Sequence, residues 1–172
     1  YLGVPESIYA IEAVKLTEPI VFPLPDEDGR LSIKALPQIM EMLPKMDAVL
    51  FGPGWGQCEG TAEAAKAILQ EFEGPVVMDA DGINVLASHM DIVRERKSTT
   101  ILTPHAGEFR RICGEPDGDH IRSATAFARE YGCILLLKGH ETVITDGSAC
   151  YVNPTGNPGM AVGGSGDVLA GI

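Results

Sequence analysis

AVLFGPGWGQCEGTAEAAKAILQEFEGPVVMDADGIN, residues 48–84, reads as a strand, a helix and a second strand. Ala48–Phe51 is a short apolar run that stops at Gly52-Pro53. Thr61–Phe72 then places Ala64, Ala65, Ile68, Leu69 and Phe72 at helical spacing. Gly74-Pro75 breaks that pattern, and Val76–Met78 is apolar again. Neither apolar run alternates with polar residues, which is the pattern of strands in a parallel sheet covered by helices.

The same alternation continues outward. Ile101-Leu102 closes another strand just before Pro104, Ile121–Tyr131 has a helical pattern, and Cys133–Leu137 is a continuous apolar strand. Thr142–Thr145 and Ala149–Val152 flank Asp146-Gly147-Ser148, a hairpin signal that adds an antiparallel part. On the N-terminal side, Ile20–Leu24, interrupted by Pro23, predicts an edge strand or an extended segment, and Asp26–Gly29 an acidic turn. No repeat or linker interrupts residues 1–172, so one α/β domain is expected. The chain begins at Tyr1 and stops at Ile172, soon after a helix start, so part of the core is expected to lie in residues outside it.

Charge excludes some partners. Thirteen Lys+Arg against 24 Asp+Glu give a net charge of -11, which repels phosphate backbones, so no nucleic-acid partner is expected. No apolar stretch approaches the roughly 18 residues of a membrane span, and no secretory signal opens the chain. Cys58, Cys113, Cys133 and Cys150 form no CxxC pair, so reduced thiols in a cytoplasmic protein are expected.

In such sheets a ligand lies outside the carboxyl ends of the strands. Gly52–Gly56, Asp79–Asn84, Thr103–Glu108 and Lys138–Thr142 all fall at such ends. Asn153–Ile172, NPTGNPGMAVGGSGDVLAGI, is the most informative segment. Gly163, Gly164 and Gly166 let backbone N–H groups converge on a phosphate at a helix start. Asp167 sits in that first turn, either as a base for an attacking hydroxyl or as a helix cap. Trp55 is either a stacking partner for a ring or a roof on the core. Asp79 and Asp81, two apart at a strand end, either face a metal-bound phosphate together or leave Asp81 to cap the next helix. His105 is either a hydrogen-bond partner for an amide or ribose, or a satisfied surface residue. Lys138 is either a phosphate contact or an edge lysine. His89, His120 and His140 share no spacing with His105, and no protein metal site is expected.

Taken in order, GPGWG, DADGIN, TPHAGEF, KGHET and NPTGNPGMAVGGSGDVLAGI closely resemble the NAD(P)H-hydrate dehydratase family of the ribokinase-like superfamily. The resemblance covers essentially the whole chain. It implies a ribokinase-like mainly parallel sheet with helices on both faces. It also implies repair of NADH or NADPH hydrates with ADP or ATP as co-substrate and Mg2+ as cofactor. The hydrate hydroxyl is phosphorylated, and phosphate then leaves.

By position, the resemblance makes Asp167 the catalytic carboxylate. Gly54, Gly56, His105, Ala106, Gly107, Glu108, Phe109, Arg110, Arg111 and Asp167 correspond to the hydrate site. Lys138, Gly139, His140, Glu141 and Thr142 correspond to the nucleotide site, together with Asn157, Pro158, Gly159, Met160, Ala161, Val162, Gly163, Gly164, Ser165 and Gly166. It further implies a homo-oligomer, fused to or working with an NAD(P)H-hydrate epimerase. Trp55 stands where the family more often has Leu, Ala106 where it has Pro, and His140 and Glu141 where it has small residues. The alternative is a vitamin-precursor kinase of the same superfamily, which stops after phosphoryl transfer. A binding protein without catalysis would have no need of Asp167.

Overall fold

The computed structural model describes residues 1–116 and 118–172. The chain opens with β1 (Leu2–Pro5), α1 (Glu6–Lys15) and β2 (Val21–Leu24). β1 and β2 pair in parallel as a separate two-stranded sheet, with Pro23 opposite Val4. The edge-strand expectation for Ile20–Leu24 is therefore met. The acidic turn is a tight hairpin between β3 (Asp26–Glu27) and β4 (Arg30–Leu31). Asp28 and Gly29 at its tip both have positive φ, 52° and 75°, as a two-residue hairpin turn requires. A short helix, α2 (Leu36–Met42), follows.

Residues 48–84 fold as read: β5 (Val49–Phe51), α3 (Glu59–Glu71), β6 (Val76–Met78), then α4 (Asp81–Leu86). After α5 (Asp91–Glu95) come β7 (Thr100–Leu102), α6 (Ala106–Cys113), α7 (His120–Tyr131) and β8 (Ile134–Leu137). The hairpin is β9 (Thr142–Thr145) and β10 (Cys150–Asn153), and the chain ends with α8 (Ser165–Gly171). The main sheet has the order β10-β9-β8-β7-β6-β5. β5 to β8 are parallel to one another; β9 and β10 join antiparallel. The sheet is mainly parallel with an antiparallel hairpin at one end, as expected from the sequence.

The register explains the core. Phe51, Met78, Leu102 and Leu135 stand opposite one another across four strands and are all buried. They meet Ile68 and Leu69 of α3, Ile83 and Leu86 of α4, Phe109 of α6 and Phe127 of α7 in one apolar cluster. Phe109 and Phe127 pack edge to face, 5.4 Å between centroids. The alternate residues Leu50, Val77, Ile101 and Leu136 are also apolar but less covered, and Leu50 is 42% exposed. An apolar slot of about 170 Å³ separates β1 from β5.

Candidate functional site

Because β5, β6, β7 and β8 are parallel neighbours, the loops that follow them emerge along one edge of the sheet. All four expected clusters lie on that edge. Gly52 has φ +127°, and a Cβ there would stand 1.9 Å from the Asp79 carbonyl oxygen, so no larger residue fits. The loop after β5 is thus pressed against the turn after β6. The Gly56 N–H donates to the Asp81 carboxylate at 2.9 Å, and the Gln57 amide donates to the same group at 3.1 Å. Trp55 stacks on Phe51 with centroids 5.7 Å apart and 13° between planes. It packs against the core and is half-buried.

Asp79 and Asp81, expected as a pair, are bonded to different partners within the protein. Ala80 between them has φ 48° and ψ -119°, a conformation that side chains rarely adopt. The kink sends the two carboxylates to different partners. Asp79, 2% exposed, receives Lys138 Nζ at 2.7 Å. Asp81 receives Gly56, Gln57 and the Asn84 side-chain amide. Asp81 is not the helix cap either: Ala80 occupies that position, without a side-chain bond. Among the described residues no three His, Cys, Asp or Glu are grouped to hold a metal.

His105 caps α6. Its Nδ1 accepts the N–H groups of Gly107 and Glu108 at 2.9 and 3.3 Å, while Glu108 accepts the His105 N–H at 2.8 Å. This is a reciprocal capping box with an imidazole in place of a hydroxyl. Nε2 lies 3.3 Å from Glu108 Oε1. A side chain at Gly107 would meet the imidazole at 2.8 Å, so Gly107 leaves room for it. Phe109, expected at the hydrate site, turns its ring into the core at 1% exposure. Ala106 faces a cleft, Arg110 is exposed, and Arg111 donates to Asn84 at 2.8 Å, tying α6 to α4.

Lys138 follows β8 and joins this edge twice. Its backbone N–H donates to Pro104 at 2.8 Å, forming a bridge with His105. Its Nζ lies 3.6 Å from where a Cβ on Gly166 would be. Thr142 Oγ1 donates to the Gly139 carbonyl at 3.1 Å and closes the loop. The Asn153–Gly164 segment passes so close that a Cβ on Gly156 would stand 2.9 Å from the His140 carbonyl. Asn157 caps the turn Pro158–Met160 through the Gly159 N–H, and Ala161 and Val162 lead on, exposed. Gly163 and Gly164 face open space. Gly164, φ +85°, is the N-cap of α8, so Asp167 lies three residues inside and is not its cap. The Asp167 carboxylate is exposed and has no hydrogen-bond partner among the described residues. Ser165 instead donates its hydroxyl back to the Val162 carbonyl at 2.8 Å.

A cleft of about 530 Å³ opens beside this loop, bounded by Ala106, Lys138–Glu141 and the residues Gly118, Asp119, His120 and Ile121. The last four were not anticipated. Their one local signal is Asp119, whose carboxylate caps α7 through Ile121 and Arg122. Capping says nothing of what the helix start faces.

Several known proteins are similar to this chain in sequence or in fold. Residues 4–172 match the family described as NAD(P)H-hydrate dehydratase. The bifunctional NAD(P)H-hydrate repair enzyme Nnr of Moorella thermoacetica is 41% identical over 177 residues, which cover 99% of this chain and 33% of that protein. Its counterpart from Salinibacter ruber is 40% identical, over 97% of this chain and 32% of the relative. The chain thus spans about a third of the length of the curated relatives it matches. A crystal structure of the ADP/ATP-dependent NAD(P)H-hydrate dehydratase of Bacillus subtilis, co-crystallized with ATP/Mg2+ and soaked with CoA, is 27% identical. It has a TM-score of 0.74, over 97% of this chain and 58% of that one. A ribokinase-like protein of Enterococcus faecalis, 22% identical, shares the fold with a TM-score of 0.79 over 98% of this chain and 57% of its own.

Proposed function

The chain belongs to the NAD(P)H-hydrate dehydratase family, and from that premise we propose that residues 1–172 form a ribokinase-like catalytic domain that dehydrates NADH or NADPH hydrates at the expense of ADP or ATP. The observation that carries this reading is Asp167. It is an exposed carboxylate without a partner, one turn into the helix that follows the open Gly163–Gly164 backbone.

The chemistry follows from that placement. The nucleotide phosphates lie along Gly163–Gly166 and receive backbone N–H groups and the helix dipole. Asp167 accepts the proton of the hydrate hydroxyl as its oxygen attacks the terminal phosphorus. The bond from that phosphorus to the rest of the nucleotide breaks, so AMP leaves from ADP or ADP from ATP. The C–O bond then breaks with phosphate as leaving group while the neighbouring carbon gives up a proton to water, and the nicotinamide double bond is restored. Hydroxide is a far poorer leaving group, which explains why a nucleotide is consumed. The hydrate rests between the Gly54–Gly56 backbone and the start of α6, with Ala106, Arg110 and Arg111 within that rim. The nucleotide uses the cleft beside Lys138–Thr142.

Mg2+ fits this chain as an ion held by phosphate oxygens and water, since Asp79 and Asp81 are already engaged and no side-chain cage exists among the described residues. When bound, it neutralises phosphate charge. Among the described residues no helix is long and apolar enough to cross a membrane; we read the location as cytoplasmic. We read the protein as a homo-oligomer acting alongside an epimerase; relatives named bifunctional support the second part.

The test is to supply hydrated NADH or NADPH with ADP or ATP and to follow both phosphate and the absorbance of the reduced nicotinamide. Recovery of that absorbance together with phosphate release is the expected result. A stable phosphate ester without recovered absorbance identifies a small-molecule kinase instead.

A further inference from the structure

We propose that Asp79 is a positioning residue of the nucleotide site, holding the Lys138 ammonium against the glycine loop so that it meets an incoming phosphate already oriented. The inference rests on the reading of Gly163–Gly166 as a phosphate cradle. It adds a residue that itself touches no ligand.

Four observations converge. First, the Asp79 carboxylate is 2% exposed, and its recorded side-chain partner is Lys138 Nζ at 2.7 Å, a strong charge-assisted bond. A carboxylate at that depth cannot turn to water, so it fixes the end of a long side chain that would otherwise sample many rotamers. Second, an ammonium has three donors. One goes to Asp79, and the other two have no acceptor among the described residues. Third, Nζ stands 3.6 Å from the Cβ position of Gly166, in the first turn of the helix that Gly163 and Gly164 lead into. The unspent donors therefore sit where a phosphate on that backbone would be. Fourth, Ala80, the residue directly after it, is held in a conformation that non-glycine residues rarely adopt. Strain of this kind persists where the surrounding structure requires it.

A plain brace between β6 and β8 would also use such a pair, and the two roles separate by measurement. Binding of ADP and of inorganic pyrophosphate is followed by calorimetry on the intact protein as wild type, Asp79→Asn, Asp79→Glu, Lys138→Met and the Asp79→Asn/Lys138→Met double variant. Asp79→Asn keeps the shape and loses the charge. It is expected to weaken both ligands about tenfold, the scale of one well-placed charged hydrogen bond. Asp79→Glu restores part of that affinity. In the Lys138→Met background, Asp79→Asn has no further effect, because a positioning residue acts only through what it positions.

Wild-type affinity in Asp79→Asn, or independent losses in the two single variants, overturns the proposal and leaves a brace. If Asp79→Asn does not fold, Lys138→Met carries the test, and unchanged affinity for both ligands there is equally decisive. The outcomes also separate the two readings. A wild-type protein that binds neither ADP nor pyrophosphate overturns the phosphate cradle itself. One that binds both, with Asp79 indifferent, overturns only the assignment made for Asp79.

Discussion

The backbone N–H of Gly56 donates to the side chain of Asp81 at 2.9 Å, across 25 positions of sequence. That bond ties the loop after β5 to the first turn of α4. The glycine loop is therefore held from outside itself, by a carboxylate that also takes Gln57 and Asn84.

Replacing Asp81 with Ala removes all three bonds. Hydrogen bonds to a charged group contribute about 1.5–3 kcal/mol when well buried, and Asp81 is half-buried, so a loss of about 1 kcal/mol in stability is expected. Substrate KM should rise more than kcat falls, because Gly54 and Gly56 lose their orientation. Thermal unfolding with steady-state kinetics checks both, and an unchanged KM would separate the loop from substrate binding.

Asp167→Asn keeps the size of the side chain but cannot take a proton. Turnover should fall by about 10²–10⁴-fold, the usual effect of removing a positioned base. ADP or ATP affinity should change little, because the backbone supplies the phosphate contacts. Turnover and nucleotide affinity measured side by side distinguish a base from an anchor, which would lose both together.

Ala80 carries φ 48° and ψ -119°. Such a conformation costs about 1–3 kcal/mol in a non-glycine residue. Glycine adopts it freely but adds about 0.5–1 kcal/mol of unfolded-chain entropy. Ala80→Gly is therefore expected to raise the melting temperature by about 2–4 °C, corresponding to roughly 1 kcal/mol at this chain length. A lower melting temperature would show that the backbone is unstrained there.

The β9–β10 turn gives a pH signature. The Ala149 amide, with the amide and hydroxyl of Ser148, holds the Asp146 carboxyl down at about 2. An unfolded aspartate titrates near about 3.9. The unfolded state therefore binds the proton first as pH falls. The contribution of Asp146 is complete above about 3.9 and is lost progressively towards 2. Wild type and Asp146→Ala should differ in stability at pH 5 and converge near pH 2. Denaturant unfolding at both values tests this, and a gap that persists at the lower pH would refute it.

Much of the architecture was legible because it is written locally. Apolar runs, helical spacing and Gly-Pro breaks depend on neighbours within a few positions, and they located β5, α3, β6, α7 and the hairpin. The order of strand-end clusters placed the candidate site on one edge, since parallel strands must end on the same side. The charge balance and the scattered cysteines are likewise properties of composition; all four thiols are unpaired in the structure.

Side-chain direction belonged to the folded chain. Spacing suggested that Asp79 and Asp81 act together, but strand alternation ends at Met78 and the kink at Ala80 parts them. Lys138 finds Asp79 across 59 positions, a partner no local pattern can name. Phe109 lies in a motif of site residues yet points into the core, because α6 must bury one face against Phe127. His105 spends its imidazole on its own helix, where Gly107 leaves room for the ring. Local propensity decides which elements form. Which donor meets which acceptor is decided only when packing brings distant segments within hydrogen-bonding reach.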